Sequence, residues 1–167
     1  MVSADFLFVR SDIFYLSRLS MSTQKNQSKW VRVKRAGTGL GLFAAVDFKR
    51  HETIIEYIGE RIPTSVGDER DNRYIFNVSS RFDIDGSARY NIARYTNHSC
   101  RPNCDALNRR GRIFFVARRK ITRGEELTFH YGRDHFEGYI KPFGCKCVKC
   151  RVETVPRKLV GQMAMSD

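Results

Sequence analysis

The chain has 167 residues, enough for one domain with a buried core and too few for two domains of ordinary size. Hydrophobic residues make up 41% and charged residues 29%, which is typical of a globular protein and not of a disordered one. No apolar run approaches the roughly 18 residues that cross a bilayer, so we expect a cytosolic protein. The formal net charge of +12 favours anionic partners such as nucleic acid.

The first 28 residues are predicted to be an extension outside the main domain. Residues 5–19 are rich in Phe, Leu, Ile and Tyr but show no regular period, and residues 20–28 are polar. The short apolar run 6–9 is preceded by Asp5 and followed by Arg10 and Asp12. A secretory leader has a positive start and an unbroken apolar middle, which this segment lacks.

The pattern of residues 31–130 predicts short strands separated by turns. No stretch shows an apolar period over three helical turns, so the predicted fold class is mainly β. Gly111, in the segment 108–111, supplies the positive φ that a hairpin needs. After Arg151 the pattern is weak, and Pro156 disfavours a long helix. The predicted strands are residues 31–34, 41–46, 53–58, 74–78, 81–84, 112–117 and 126–130.

Two segments allow either a ligand-binding or an ordinary structural interpretation. The segment Gly39-Leu40-Gly41 opens an apolar run, and its two glycines would let the backbone lie directly against a ligand. A bend at the start of a strand explains the same pair without a ligand. Asn97, His98 and Ser99 form a polar segment further along, and Asn and Ser are also ordinary turn residues.

Three cysteines lie within six residues near the C-terminus, at Cys145, Cys147 and Cys150. In a reducing compartment this density favours a thiolate-bound metal over disulfides. A structural zinc site takes four ligands, so a fourth must come from elsewhere in the chain.

The segments 93–104 (ARYTNHSCRPNC), 124–132 (GEELTFHYG) and 145–150 (CKCVKC), in this order, resemble the SET-domain protein lysine methyltransferases. The resemblance covers about residues 31–150. It implies a mainly β fold of several small sheets with a C-terminal pseudoknot and a short zinc-bound C-terminal lid. The implied organisation is an N-terminal extension (1–28), a SET catalytic domain (29–133), a post-SET-like zinc segment (134–151) and a C-terminal tail (152–167).

By this resemblance the cofactor is S-adenosylmethionine. The glycine segment would lie against its methionine part, and Asn97 and His98 would lie around its amino group and adenine. Arg94 would lie near its carboxylate, a role that suits the planar guanidinium because it forms two parallel hydrogen bonds. The implied cofactor-binding residues are Gly39, Leu40, Gly41, Arg94, Asn97, His98 and Tyr131.

The resemblance also implies the catalytic residues. The hydroxyl of Tyr131 would lie beside the transferring methyl group, and Tyr74 would line the lysine channel. Phe129 occupies a position where the family has Phe or Tyr, and Phe leaves space for a methylated ammonium. The implied product is therefore di- or trimethyl lysine. Each tyrosine, considered alone, is also explained as an aromatic of the core or of a strand face.

The fourth zinc ligand that the resemblance supplies is Cys100, which joins Cys145, Cys147 and Cys150. Two residues separate Cys147 from Cys150, where the family usually has four. Cys104 is the runner-up ligand and is otherwise explained as a buried thiol.

The implied substrate is a lysine of a protein such as a histone tail. A strongly basic enzyme repels such a tail unless a local acidic groove overrides the field, and Glu56, Glu60, Asp83 and Asp85 are candidates for that groove. The basic runs 109–112 and 118–120 are candidates for nucleic-acid contact, although such runs are also ordinary solvated strand ends.

An alternative function is a catalytically silent, zinc-containing binding module for nucleic acid or a protein partner. Such a module has no physical need for the cofactor residues. For the location, a nucleus or delivery into a host cell are the alternatives to the cytosol.

Overall fold

A computed structural model describes residues 28–70 and 72–154. Within them, ten short strands are joined by turns, three short α-helices, and 3-10 turns at Ser28–Trp30, Ile92–Tyr95 and Lys141–Phe143, with a π turn at Phe136–Ile140. The helices are α1 (Thr64–Glu69), α2 (Arg133–His135) and α3 (Val148–Thr154). The strands are β1 (Val31–Ala36), β2 (Gly39–Ala44), β3 (Thr53–Tyr57), β4 (Glu60–Pro63), β5 (Ile75–Asn77), β6 (Phe82–Asp85), β7 (Asn97–His98), β8 (Cys104–Arg109), β9 (Arg112–Ala117) and β10 (Thr128–Phe129).

Two three-stranded antiparallel sheets form the centre of the fold. In one, β9 lies between β3 and β8, and in the other β6 lies between β4 and β5. Ile113 and Phe115 of β9 are buried, whereas Arg112 is exposed and Phe114 is half-buried, as expected when one face of a strand covers the core. The core includes Leu42, Phe48, Ile54, Ile55, Ile113, Phe115, Ile121 and Leu127.

Two tight hairpins connect neighbouring strands. The β8–β9 turn has positive φ at Arg110 (54°) and Gly111 (77°), which confirms the predicted role of the glycine. The β1–β2 hairpin pairs Val31 with Ala44 at one end and Ala36 with Gly39 at the other. This register places the glycine segment at the turn end of the hairpin.

The segment that leads into β10 lies between β2 and β7. On one side the Leu127 N–H donates to the Leu42 carbonyl at 2.7 Å, and on the other side β10 pairs in parallel with β7, with Phe129 opposite His98. Two parts of the chain that are distant in sequence are thereby interlaced, which is the C-terminal pseudoknot of the expected fold.

The predicted mainly β class of several small sheets is confirmed, but three strands escaped prediction. β4 ends at Pro63 and lies at a sheet edge, where a missing N–H is tolerated. β8 carries exposed polar residues on an edge strand, and β7 has only two residues. The predicted strand 126–130 pairs as β10 only at Thr128–Phe129.

The two predicted terminal segments are mostly outside the described residues, which include only 28 of the extension and 152–154 of the tail. Among the described helices, none has the length and apolar character needed to cross a membrane.

Candidate active site and metal centre

The parallel pairing of β7 and β10 brings two sequence motifs into contact. The Ser99 N–H extends the pairing by donating to the Phe129 carbonyl at 3.0 Å. Asn103 is buried beside it: its Nδ2 donates to the Glu126 carbonyl and its Oδ1 accepts from the Thr128 N–H, both at 2.8 Å. Asn103 belongs to the motif 93–104, and both of its partners belong to the motif 124–132. Its side chain therefore holds the two motifs side by side.

The glycine segment forms a cradle against this strand pair. Asn97 Nδ2 donates to the Leu40 carbonyl at 3.1 Å and to Glu126 Oε1 at 2.7 Å. A Cβ at Gly41 would lie 2.7 Å from the same carboxylate oxygen, so any other residue would displace the carboxylate, and Gly39 has a φ of +116°. Bare backbone and an amide that is held by a carboxylate fit the amino-acid part of S-adenosylmethionine.

His98 links the cradle to the next two features of the site. Its Nδ1 accepts from the Tyr131 N–H at 3.4 Å, and its Nε2 lies 3.4 Å from Cys100 Sγ. Burial, followed by the nearby His130 and His135, lowers the pKa of His98 to about 4. The imidazole is therefore neutral at neutral pH, with its proton on Nε2 when Nδ1 is the acceptor.

A cavity of about 330 Å³ lies next to this strand pair. The Phe129 ring forms one wall and has its centroid 4.8 Å from that of Tyr131 and 6.0 Å from that of Phe76. Aromatic walls of this kind suit an alkyl chain that ends in a cationic or methylated amine. The aromatic side chains of the lining are Tyr57, Tyr74, Phe76, Phe129, Tyr131 and His135.

The Tyr131 hydroxyl is fixed within this cavity. It donates to the Thr96 carbonyl at 3.1 Å, and burial, with a further contribution from Tyr74, raises its pKa to about 12. The group is therefore a neutral hydroxyl whose oxygen retains acceptor capacity. Thr96 is itself buried, and its Oγ1 has no hydrogen-bond partner among the described residues.

Arg94 lies on the cavity side of the strand pair. Its guanidinium is 3.8 Å from the centroid of the Tyr74 ring and donates to the Ser87 carbonyl. Its Nε is buried without a partner among the described residues. These contacts are with the cavity wall and not with the glycine segment, so its role towards a cofactor carboxylate stays a prediction.

Four cysteine thiols come together beside His98. All four Sγ atoms lie within 4.8 Å of one another, and Cys100 Sγ is 3.7 Å from both Cys145 Sγ and Cys150 Sγ. Tetrahedral zinc with bonds of about 2.3 Å places sulfurs about 3.8 Å apart, so the set fits a zinc site. Cys104, the runner-up, lies in β8, where its thiol donates to Asn103 Oδ1. The cluster consists of Cys100, Cys145, Cys147 and Cys150.

Residues 39–132, more than half of the chain, match the SET domain family. The chain belongs to this family.

Three relatives of this SET domain carry related names. Histone-lysine N-methyltransferase trr of Drosophila melanogaster is 40% identical over 126 residues, which are 68% of this chain and 5% of the relative. Histone-lysine N-methyltransferase set1 of Dictyostelium discoideum is 34% identical over 80% of this chain and 10% of its own length. The H3 lysine-4 specific enzyme of Emericella nidulans is 37% identical over 72% of this chain and 11% of its own length. The chain thus spans a small part of each.

The acidic residues expected to form a groove in this SET domain are mostly buried. Glu56, Asp83 and Asp85 are 3%, 2% and 7% exposed, so the hypothesis of a groove built from all four is wrong. Only Glu60 is exposed, and it pairs with an arginine at 3.2 Å. The carboxylates of the other three accept hydrogen bonds from within the domain, Glu56 from Arg112, Asp83 from Asn77, and Asp85 from Arg70 and Asn72.

The basic runs are also partly paired within the SET domain. Because these guanidinium groups have carboxylate partners, the runs are weaker candidates for nucleic-acid contact than their sequence indicates. The pairs are Arg112–Glu56, Arg118–Asp105 and Arg119–Glu125.

Sequence reasoning missed three residues that shape the site: Thr96, Asn103 and Glu126. Thr96 and Asn103 fall inside the motif 93–104, and Glu126 falls inside 124–132, but nothing in the sequence shows what their side chains bond. The one available signal is that Asn103 and Glu126 are polar residues inside otherwise apolar or turn-forming motifs. The partners of Asn103 and Glu126 are 23 to 29 residues away in sequence.

Proposed function

We propose that the protein transfers a methyl group from S-adenosylmethionine to the ε-amine of a protein lysine. The observation that carries this proposal is the β7–β10 pair, which borders a polar cradle through Asn97 and an aromatic cavity through Phe129. A methyl donor and an acceptor amine would meet beside Tyr131. The likeness to histone-lysine N-methyltransferases supports this activity over the part of those proteins that the chain covers.

The cofactor would lie on the cradle side. S-adenosylmethionine, when bound, supplies an electrophilic methyl group on a positive sulfonium. The bare backbone of the glycine segment would contact its methionine part, and the amide of Asn97 would bond its amino group. His98, whose two ring nitrogens already have partners within the protein, would lie beside its adenine. The proposed cofactor residues are Gly39, Leu40, Gly41, Arg94, Asn97, His98 and Tyr131.

The acceptor lysine would enter through the cavity and lose its proton there. A lysine ammonium has a reference pKa of about 10.4, so it must be deprotonated before it attacks a methyl group. The cavity lining contains three arginines, Arg73, Arg94 and Arg133, against the carboxylate of Asp134. Positive surroundings and apolar walls both lower the pKa of an ammonium, so the environment supports deprotonation without a dedicated base.

Tyr131 is the proposed residue that orients the reacting groups, with Tyr74 lining the channel. The Tyr131 hydroxyl donates its hydrogen bond to the Thr96 carbonyl. Its oxygen can then accept weak C–H contacts from a methyl group. Fixed alignment of nitrogen, methyl carbon and sulfur would provide most of the rate enhancement.

Phe129 supports a product beyond monomethyl lysine. Its ring packs against Phe76, Phe115 and Tyr131 and brings no hydroxyl into the cavity. The wall therefore has no hydroxyl at the position of Phe129 to hold a crowding water, and the proposed product is di- or trimethyl lysine.

Zinc is the proposed occupant of the cysteine cluster. Four thiolates would hold it as a closed structural site, and Cys100 would tie the C-terminal segment 134–151 to the strand pair. The zinc would stabilise the lid and would take no part in methyl transfer.

A histone is the first candidate substrate because the relatives are named for histone lysine. The arginines that line the cavity nevertheless disfavour a substrate with further basic residues next to the target lysine. Nucleic-acid contact and cellular location stay predictions.

The test is a pair of measurements on the purified protein. Isothermal titration calorimetry with S-adenosylmethionine measures cofactor binding, and incubation of histones and cell-extract proteins with methyl-tritiated cofactor measures transfer. We expect binding and label in lysine. Binding without transfer to any protein would favour the silent module, and no binding would refute the proposed function.

A further inference from the structure

Glu126 has a backbone that is fixed from two directions. It forms an antiparallel bridge with Phe43 of β2, and its carbonyl accepts from Asn103 Nδ2 at 2.8 Å. Its side chain starts from a rigid base and extends toward the glycine segment. A fixed backbone is what a residue needs in order to hold another side chain in one orientation.

The contacts of Asn97 determine which way its amide faces. Nδ2 lies 2.7 Å from Glu126 Oε1 and 3.1 Å from the Leu40 carbonyl. Both neighbours are acceptors that have no proton to donate, whereas an amide nitrogen carries two protons. Flipping the amide would place Oδ1 against two oxygens. The nitrogen is therefore committed to these partners, and Oδ1 is the end left for a ligand.

The carboxylate also defines the floor of the cradle. Oε1 lies 2.7 Å from the position of a Cβ on Gly41, so it reaches the bare backbone of the glycine segment. The same oxygen accepts from the Asn97 amide, so the carboxylate holds that amide against the glycine segment. Removal of the carboxylate would leave Asn97 held only by the Leu40 carbonyl and able to rotate.

We infer that Glu126 is a positioning residue for the cofactor site. It holds the amide of Asn97 so that Oδ1 faces the ligand as an acceptor for an ammonium group, the α-ammonium of S-adenosylmethionine. The inference rests on the proposed function. It adds to that function a residue that acts on the cofactor only through Asn97.

The experiment compares variants of Glu126 by calorimetry with S-adenosylhomocysteine. Glu126→Ala removes the acceptor and should weaken binding about tenfold or more, the usual loss when a hydrogen bond to a charged group is broken. Glu126→Gln keeps an acceptor oxygen at the same reach and should stay within about threefold of wild type. Glu126→Asp keeps the charge but loses one methylene of reach, and it should resemble the alanine variant.

Two controls separate positioning from general damage. Glu125→Gln changes the neighbouring carboxylate, which pairs with Arg119 at 2.8 Å, and should alter affinity by less than about twofold. 5′-Methylthioadenosine lacks the amino-acid part, so its affinity should not change in any Glu126 variant. In an Asn97→Ala background, Glu126→Ala should add less than about twofold because the two residues act as one unit.

The outcomes are distinguishable. The inference is overturned if Glu126→Ala binds S-adenosylhomocysteine as wild type does, if 5′-methylthioadenosine is weakened equally, or if the loss persists in the Asn97→Ala background. If Glu126→Ala does not fold, the comparison of the Asp and Gln variants decides, and a stronger loss in Gln than in Asp overturns it. Failure of the wild type to bind any of these ligands refutes the proposed function itself.

Discussion

Gly41→Ala fills the cradle with a single methyl group. The φ of Gly41 lies outside the positive range, so the backbone accepts alanine. The new Cβ would lie 2.7 Å from Glu126 Oε1, 2.9 Å from Ala36 Cβ and 3.2 Å from Asn97 Nδ2, and the first two are closer than the 3.0 Å that real Cβ atoms respect. The carboxylate must move and release Asn97. Overpacking of this kind costs about 1–3 kcal/mol of unfolding free energy.

Two other glycines provide matched controls. Gly138→Ala places a methyl group with no atom within 4 Å and should change the unfolding free energy by less than about 0.5 kcal/mol. Gly39→Ala also meets no atom within 4 Å but forces alanine to a φ of +116°. That strain costs about 1–2 kcal/mol and leaves the space of the cradle open.

Urea denaturation and calorimetry with S-adenosylhomocysteine measure the two effects separately. We expect Gly41→Ala to lose stability and also about tenfold or more in affinity, because the amide and carboxylate leave their positions. Gly39→Ala should lose stability with a smaller loss of affinity. The reasoning is refuted if Gly41→Ala loses stability yet binds the ligand as tightly as Gly138→Ala, since the cradle would then be a packing feature only.

Tyr131→Phe removes the hydroxyl that is proposed to lie near the transferring methyl. Turnover should therefore fall by at least about tenfold while cofactor affinity changes little, and equal losses in both would make the tyrosine structural. Phe129→Tyr adds a hydroxyl to the cavity wall, and mass spectrometry should show a shift from di- and trimethyl towards monomethyl lysine. Elemental analysis should find about one zinc per chain, lost in Cys100→Ser and kept in Cys104→Ser, because only the first thiol belongs to the cluster. Because the cavity lining is positive, peptides with acidic residues beside the lysine should have a lower KM than peptides with basic residues there. Arg73→Glu removes one cation from the lining and should reduce this difference in KM.

The strands that were predicted are those whose own residues determine their conformation. The predicted range 112–117 coincides with β9, whose apolar and aromatic residues face the core. β8 escaped prediction because Asp105, Asn108 and Arg109 make it polar, and it becomes a strand only by pairing with β9. The two-residue strand β7 has no local signal, since it exists only through its contact with β10, whose own residues lie inside the predicted range 126–130.

The prediction of an acidic groove was wrong for a related reason: the burial of its residues depends on strand pairing. Glu56 is an acidic residue in an apolar strand, which alone does not reveal whether it faces water. In the folded protein Arg112, on the neighbouring strand, donates to both of its carboxylate oxygens at 2.8 Å and 2.6 Å. The partner is 56 residues away in sequence, so the pairing depends on the β3–β9 register. Charge in a sequence identifies candidates, and the sheet register decides which remain available to a partner.

His98 and its neighbours in the chain connect the cysteine cluster to the cradle. Asn97, His98 and Cys100 lie within four residues, so the cradle, the Tyr131 backbone and the thiol cluster are all bonded to the same short segment. The side chains of this segment contact three different features, so the segment connects them. A metal bound by the four thiols would therefore also order the His98 ring, the Tyr131 N–H that it accepts from, and the hydroxyl that Tyr131 directs to Thr96.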